Sequence, residues 1–171
     1  MKQIDFENGT ITQNIFMAAI PMLVAQVLNL LYNIVDRIYI ARIPGVGTTA
    51  LGAVGLCFPV IMIITAFSNL FGSGGAPLFS IERGRGNREN AGRILNTSFS
   101  MLALASIVLM LAGLIFARPI LTLFGASADA LTYAYPYLMI YLLGTFPSMI
   151  ATGMNPFINA QGYATTGMLS V

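Results

Sequence analysis

The sequence predicts an all-α protein: a polytopic transmembrane helix bundle with four complete helices and the start of a fifth. Three observations carry this reading. Charged residues make up 8% of the 171 residues and hydrophobic residues 57%, with a mean hydropathy of +0.80; soluble domains carry about 25% charged residues. The apolar residues fall in runs of ~20 or more, the length that crosses a bilayer. What charge there is gathers between the runs, above all from Glu82 to Arg93.

Composition removes several function classes. There is no histidine, so His-based metal sites and Ser–His or Cys–His nucleophiles are excluded. The single cysteine, Cys57, can form no intrachain disulfide. A net charge of +2 gives no footing for a nucleic-acid partner. The first residues, MKQIDFENGT, hold Asp5 and Glu7 as well as Lys2. The apolar run behind them is too long for a signal-peptide core, so the first span is expected to be retained.

That first span is expected over residues 15–40. Pro21 lies in its first third and is expected to kink it. It carries Gln26, Asn29, Asn33 and Asp36, spaced three, four and three apart. At ~100° per residue these fall within ~80° of arc on one helix face. Polar groups facing hydrocarbon are costly, so this face is expected to look into a bundle or a wet cavity. Asp36 is the sharpest functional clue: a desolvated carboxylate that exchanges a proton or binds Na⁺, against an interfacial acid held by Arg37 or Arg42. Arg37 points ~100° away around the helix and does not share its face.

A short connection, Arg42-Ile43-Pro44-Gly45-Val46-Gly47, leads to a second span over residues 50–81. Its rear, FGSGGAPLFS, lacks the Lys-Ser/Thr pair of a phosphate-binding loop. Close helix packing through Gly72, Gly74, Gly75 and Ala76 is expected instead. The charged segment 82–93 reads as a solvated loop, with a lipid-headgroup patch as the alternative. A third span is expected over residues 94–116, ended by Arg118-Pro119, and PILTLFGAS after it reads as an interfacial connector.

Ser127 or Asp129 is expected to cap a fourth span over residues 131–160, made irregular by Pro136, Pro147 and Pro156. It carries a second polar stripe, Thr145, Ser148, Thr152, Asn155 and Asn159, continued upward by Tyr137 and Tyr141. These are candidate cavity-lining residues, with interhelical hydrogen bonding as the plain alternative. A fifth apolar stretch starts at about residue 165 and stops at once, so the chain reads as the front of a longer protein. Lys2 and the four arginines of segment 82–93 fall on one side and Arg37, Arg42 and Arg118 on the other, five against three. The expected orientation is therefore a cytoplasmic N-terminus in a bacterial-type plasma (inner) membrane.

At these residues the chain resembles the multidrug and toxic compound extrusion transporters. Pro21, Gln26 and Tyr32-Asn33-Ile34-Val35-Asp36 resemble that family's first helix, and Ala50-Leu51-Gly52-Ala53-Val54-Gly55 the start of its second. Gly84-Arg85-Gly86-Asn87-Arg88-Glu89-Asn90-Ala91 is similar to the loop between helices two and three. Leu123-Phe124-Gly125-Ala126, Tyr137-Leu138 and Asn159-Ala160-Gln161-Gly162 follow in order. The resemblance implies twelve helices in two lobes and exchange of drug-like amphipathic or cationic small molecules against H⁺ or Na⁺. It implies Asp36 as the acidic residue of the first lobe's cation site with Asn33 beside it, no further cofactor, and a second lobe of the same protein as partner. A lipid-linked saccharide flippase of related architecture would want a more basic central cavity. A membrane scaffold subunit would use the stripes as helix glue alone. An enzyme is not expected, for want of histidine or paired carboxylates in the spans.

Overall fold

The structure, a computed structural model, describes residues 10–170; Lys2, which enters the charge comparison, lies outside them. Among the described residues all regular structure is helical: α1 (Ile11–Ala41), α2 (Gly47–Gly84), α3 (Arg88–Leu123), α4 (Ala128–Leu143), α5 (Thr145–Ala160) and the short α6 (Ala164–Leu169). α1, α2 and α3 are each long and apolar enough to cross a membrane. α4 and α5 reach that length and polarity together, bent by 57° at Gly144. With its apolar surface turned outward, the chain is an integral membrane protein.

The principal core is one file from each of four helices. Ala53, Cys57, Val60 and Ile64 of α2 recur at helical spacing, as do Ala134, Leu138 and Leu142 of α4. They meet Leu102, Ala117 and Leu121 of α3 and Met149 of α5. A second cluster near the charged end joins Ala76, Phe79, Ala91 and Phe157, with the two phenylalanine rings edge to face at 5.6 Å. Lipid tails are as apolar as these side chains, so close fit rather than water exclusion holds such helices together. Small residues supply that fit. A Cβ on Gly72 would collide with the Gly153 carbonyl of α5, and one on Gly75 with Ser98 and the Phe157 ring. Gly74, expected to join this packing, faces open space instead: it lies about 100° from Gly75 and 200° from Gly72 on the helix.

α1 stands apart from this core. None of its residues is buried, and it leans on α6 and on α2. Arg37 near its end stacks over the Phe58 ring at 4.7 Å, and at the same end of the bundle Arg118 of α3 stacks over Tyr135 of α4 at 4.7 Å.

Two expectations about helix ends need correction. α3 does not stop at Arg118-Pro119 but runs on to Leu123, so the segment read as an interfacial connector is largely its last turn. Ala117 and Leu121 are fully packed against the core on either side of Pro119, and that packing holds the helix through the missing N–H. The charged segment is likewise not a long loop. α2 continues to Gly84 and α3 begins at Arg88, leaving Arg85, Gly86 and Asn87 as the turn. Gly86 supplies the positive φ (+76°), and the Asn87 side chain accepts from the Asn90 backbone N–H at 3.2 Å as N-cap. Local ion pairs, Glu82–Arg85 at 2.9 Å and Glu89–Arg93 at 2.8 Å, favour the extra helical turns.

The fourth span begins as the sequence suggests, with Ser127 accepting from the Ala130 N–H at 3.2 Å. Its break falls at Gly144, one turn ahead of Pro147, whereas Pro136 and Pro156 sit inside helices. The Pro147 ring crowds the carbonyl four residues back, at Leu143, which is where α4 ends.

Candidate cation site on the first span

Asp36 is half-buried, on the last turns of α1. Among the described residues its carboxylate makes no ion pair: the bridges present are those of the charged turn, and Arg37 is turned to Phe58. The Asp36 charge acts on the Tyr137 hydroxyl, which is also within electrostatic reach of Tyr32, Cys57 and Tyr141. Tyr137 thus lies within electrostatic range of Asp36, a hundred residues away in sequence.

The rest of the first stripe is not buried in this chain. Gln26, Asn29 and Asn33 are exposed. Asn33 does not turn to Asp36; its amide donates to the Asn29 carbonyl and to the Asn29 side-chain oxygen, both at 2.8 Å. Asn33 thus shares Asp36's face by its i,i+3 spacing but spends its donors one turn lower.

The second stripe is divided by the Gly144 bend. Thr145 is fully buried there, its hydroxyl donating to the Tyr141 carbonyl at 3.3 Å. Ser148 and Thr152 are exposed, with the Thr152 hydroxyl on the Ser148 carbonyl at 2.8 Å. Asn155 and Asn159 belong to a separate network. Asn159 donates to the Asn155 side-chain oxygen at 2.8 Å, and Asn155 donates to Gly167 of α6 at 2.6 Å and to the Ser170 hydroxyl at 3.0 Å. The Asn159 oxygen is buried against Gly167, where a Cβ would collide with it. The structure leaves Tyr137 within electrostatic range of Asp36 and commits Asn155 and Asn159 to holding α6.

Two residues within electrostatic range of Tyr137 were not candidates from sequence. Cys57 lies fully buried between α2 and α4, its thiol 3.6 Å from both the Ala53 and Ala134 carbonyls; an isolated apolar-run cysteine carries no signal of that placement. Tyr32 lies one turn before Asp36 on α1, and its aromatic character on a spanning helix was the available signal.

One concavity, about 560 Å³, is an apolar groove between α2 and α3 lined by Val60, Ile64, Leu109, Phe116 and Ile120 among others. None of the candidate site residues lines it. Chemically, the Asp36 neighbourhood offers one carboxylate and neutral hydroxyls. That set suits a proton or a hard monovalent cation with oxygen ligands.

Comparison with known proteins agrees with this architecture. The chain is 24% identical over 166 residues to the Multidrug export protein MepA of Staphylococcus haemolyticus, covering 97% of this chain and 36% of that protein. It is 26% identical over 149 residues to an FAD transporter of Shewanella oneidensis, covering 87% of this chain and 31% of that protein. It is 28% identical over 136 residues to the Probable multidrug resistance protein YoeA of Bacillus subtilis, covering 74% of this chain and 29% of that protein. The chain spans about a third of the length of these relatives. No solved structure matches it. The MatE family model matches continuously from residue 21 to residue 171, through both the α1 stripe and the bent fourth span, and the chain belongs to the MatE family.

Proposed function

We propose that this chain is part of a cation-coupled multidrug exporter, a transporter rather than an enzyme, in which Asp36 takes up the coupling H⁺ or Na⁺. The observation that carries the reading is a half-buried carboxylate on a spanning helix that makes no ion pair among the described residues, with Tyr137 of α4 within electrostatic range. An intramembrane acid of this kind is functional by default. Cation entry biases an equilibrium between two conformations only through differential affinity for them, and a carboxylate that is neutral in one and cation-bound in the other supplies it. The names of two relatives, one a multidrug export protein and one a probable multidrug resistance protein, support drug-like small molecules as substrates. The partner in alternating access is then the remainder of the same protein, in the bacterial inner membrane.

The test is dye efflux from vesicles under an imposed H⁺ or Na⁺ gradient, with the intact transporter containing this chain and with residues 1–171 alone. Gradient-dependent efflux is expected from the first and none from the second, because alternating access needs two moving units around a site. Gradient-independent efflux, or full efflux from the chain alone, overturns the reading. A second reading, export of a flavin nucleotide, is favoured by the FAD transporter's similarity over 87% of this chain. Efflux of FAD in place of cationic dyes identifies it.

The arginine bias supports a cytoplasmic N-terminus. A cysteine placed at Gly45 is then expected to react with an impermeant maleimide added outside intact cells, and one at Asn87 is not. The reverse pattern inverts the topology.

A further inference from the structure

The charged turn between α2 and α3 has a geometry that simple solvation does not use. Both of its carboxylates are engaged: Glu82 accepts from Arg85 at 2.9 Å and from the Asn90 amide at 3.3 Å, and Glu89 accepts from Arg93 at 2.8 Å. Four arginines, Arg83, Arg85, Arg88 and Arg93, stand against these two acids. Arg88 makes no ion pair among the described residues. The Glu82 bond fixes Arg85 in place while using one of its five N–H donors.

Each of Arg85 and Arg88 also stands at the head of an apolar file. Arg85 follows Ile81 by four residues and Leu78 by seven, so the three lie within ~60° of arc on α2; Leu78 and Ile81 are exposed. Arg88 precedes Leu95 by seven residues and Phe99 by eleven, within ~40° on α3; Phe99 is exposed, while Leu95 is partly buried against the second cluster. The three-residue step between the arginines holds their Cα atoms within about 11 Å. We propose that this turn binds the headgroup of an anionic phospholipid of the surrounding bilayer. Its phosphate lies on Arg85 and Arg88, and its acyl chains lie along Leu78–Ile81 and over Phe99. The proposal rests on the membrane placement of α2 and α3 and is independent of what the protein transports. Guanidinium pairs with phosphate bidentately, and juxtamembrane arginines draw anionic lipid to the surface they face.

The purified chain in neutral detergent, titrated with phosphatidylglycerol or phosphatidylcholine and read by native mass spectrometry, tests this. Phosphatidylglycerol is expected to be retained over phosphatidylcholine. The preference is expected to fall about fivefold per arginine removed, so on the order of 20-fold in Arg85→Gln/Arg88→Gln. Arg118→Gln, at the other end of the bundle, is expected to keep it, and Arg85→Lys/Arg88→Lys to keep most of it. Millimolar inorganic phosphate is expected not to displace the lipid. Should the double Gln variant fail to fold, a salt titration of the wild type decides, with the preference expected to fall as salt rises. Equal retention of both lipids overturns the proposal. So does a preference untouched by the double variant or by salt, equal loss in Arg118→Gln, or displacement by free phosphate.

Discussion

Asn in place of Asp36 is expected to cut ion-driven efflux in the intact transporter sharply while leaving expression and membrane insertion near wild type. The substitution keeps the shape of the side chain and removes the group that changes charge. The carboxylate makes no ion pair among the described residues, so its loss strands no basic partner in the membrane. What disappears is the difference in cation affinity between conformations. Couplings of this kind are worth ~1–3 kcal/mol, so the gradient-dependent rate is expected to drop about 5- to 150-fold. Asn33→Ala is the informative companion. Its amide bonds Asn29 rather than Asp36, so only a local bond is lost, and the expected effect is about fivefold or less. Efflux at the wild-type rate by Asp36→Asn under an imposed gradient would identify Asp36 as an interfacial acid without a part in coupling.

Gly72→Val is expected to be the most disruptive single change in the bundle. The new side chain meets the Gly153 carbonyl of α5, a backbone group that cannot swing aside. Overpacking a well-fitted contact costs ~1–3 kcal/mol where side chains can yield, and a backbone obstacle puts this case at about 3 kcal/mol or more. α2 and α5 must separate, opening the contact that also seats Phe157 against Phe79. Gly74→Ala, two residues away and facing open space, is the control and is expected to be neutral or slightly stabilising. Thermal unfolding in detergent, followed by helical circular dichroism, compares the two. An unchanged midpoint for Gly72→Val would mean that α5 does not pack as closely as described.

The spans were legible because apolar run length is set by the bilayer, a constraint independent of tertiary contacts. Where local signals misled, packing or hydrogen bonding had the final say. Pro119 looked like a stop, yet Ala117 and Leu121 carry the helix past it. Glu82 to Arg93 looked like a loop because it is polar, yet its i,i+3 and i,i+4 ion pairs suit helix ends. The polar stripes were legible as faces, since helical spacing orders residues on one element. Spacing says nothing about which helix lies opposite. That Tyr137 comes within electrostatic range of Asp36, and that Asn155 and Asn159 are drawn off to α6, depends on how the helices are arranged.

The bend at Gly144 has a consequence for where water can go. Pro147 has no N–H to offer the Leu143 carbonyl four residues back, and Thr145 turns its hydroxyl to Tyr141 instead. Hydrocarbon supplies no donor to such a carbonyl, and leaving it bare there costs several kcal/mol. Leu143 is exposed in this chain. This side of the fourth span is therefore not an ordinary lipid-facing surface: in the assembled membrane either another helix covers it or a thread of water reaches it.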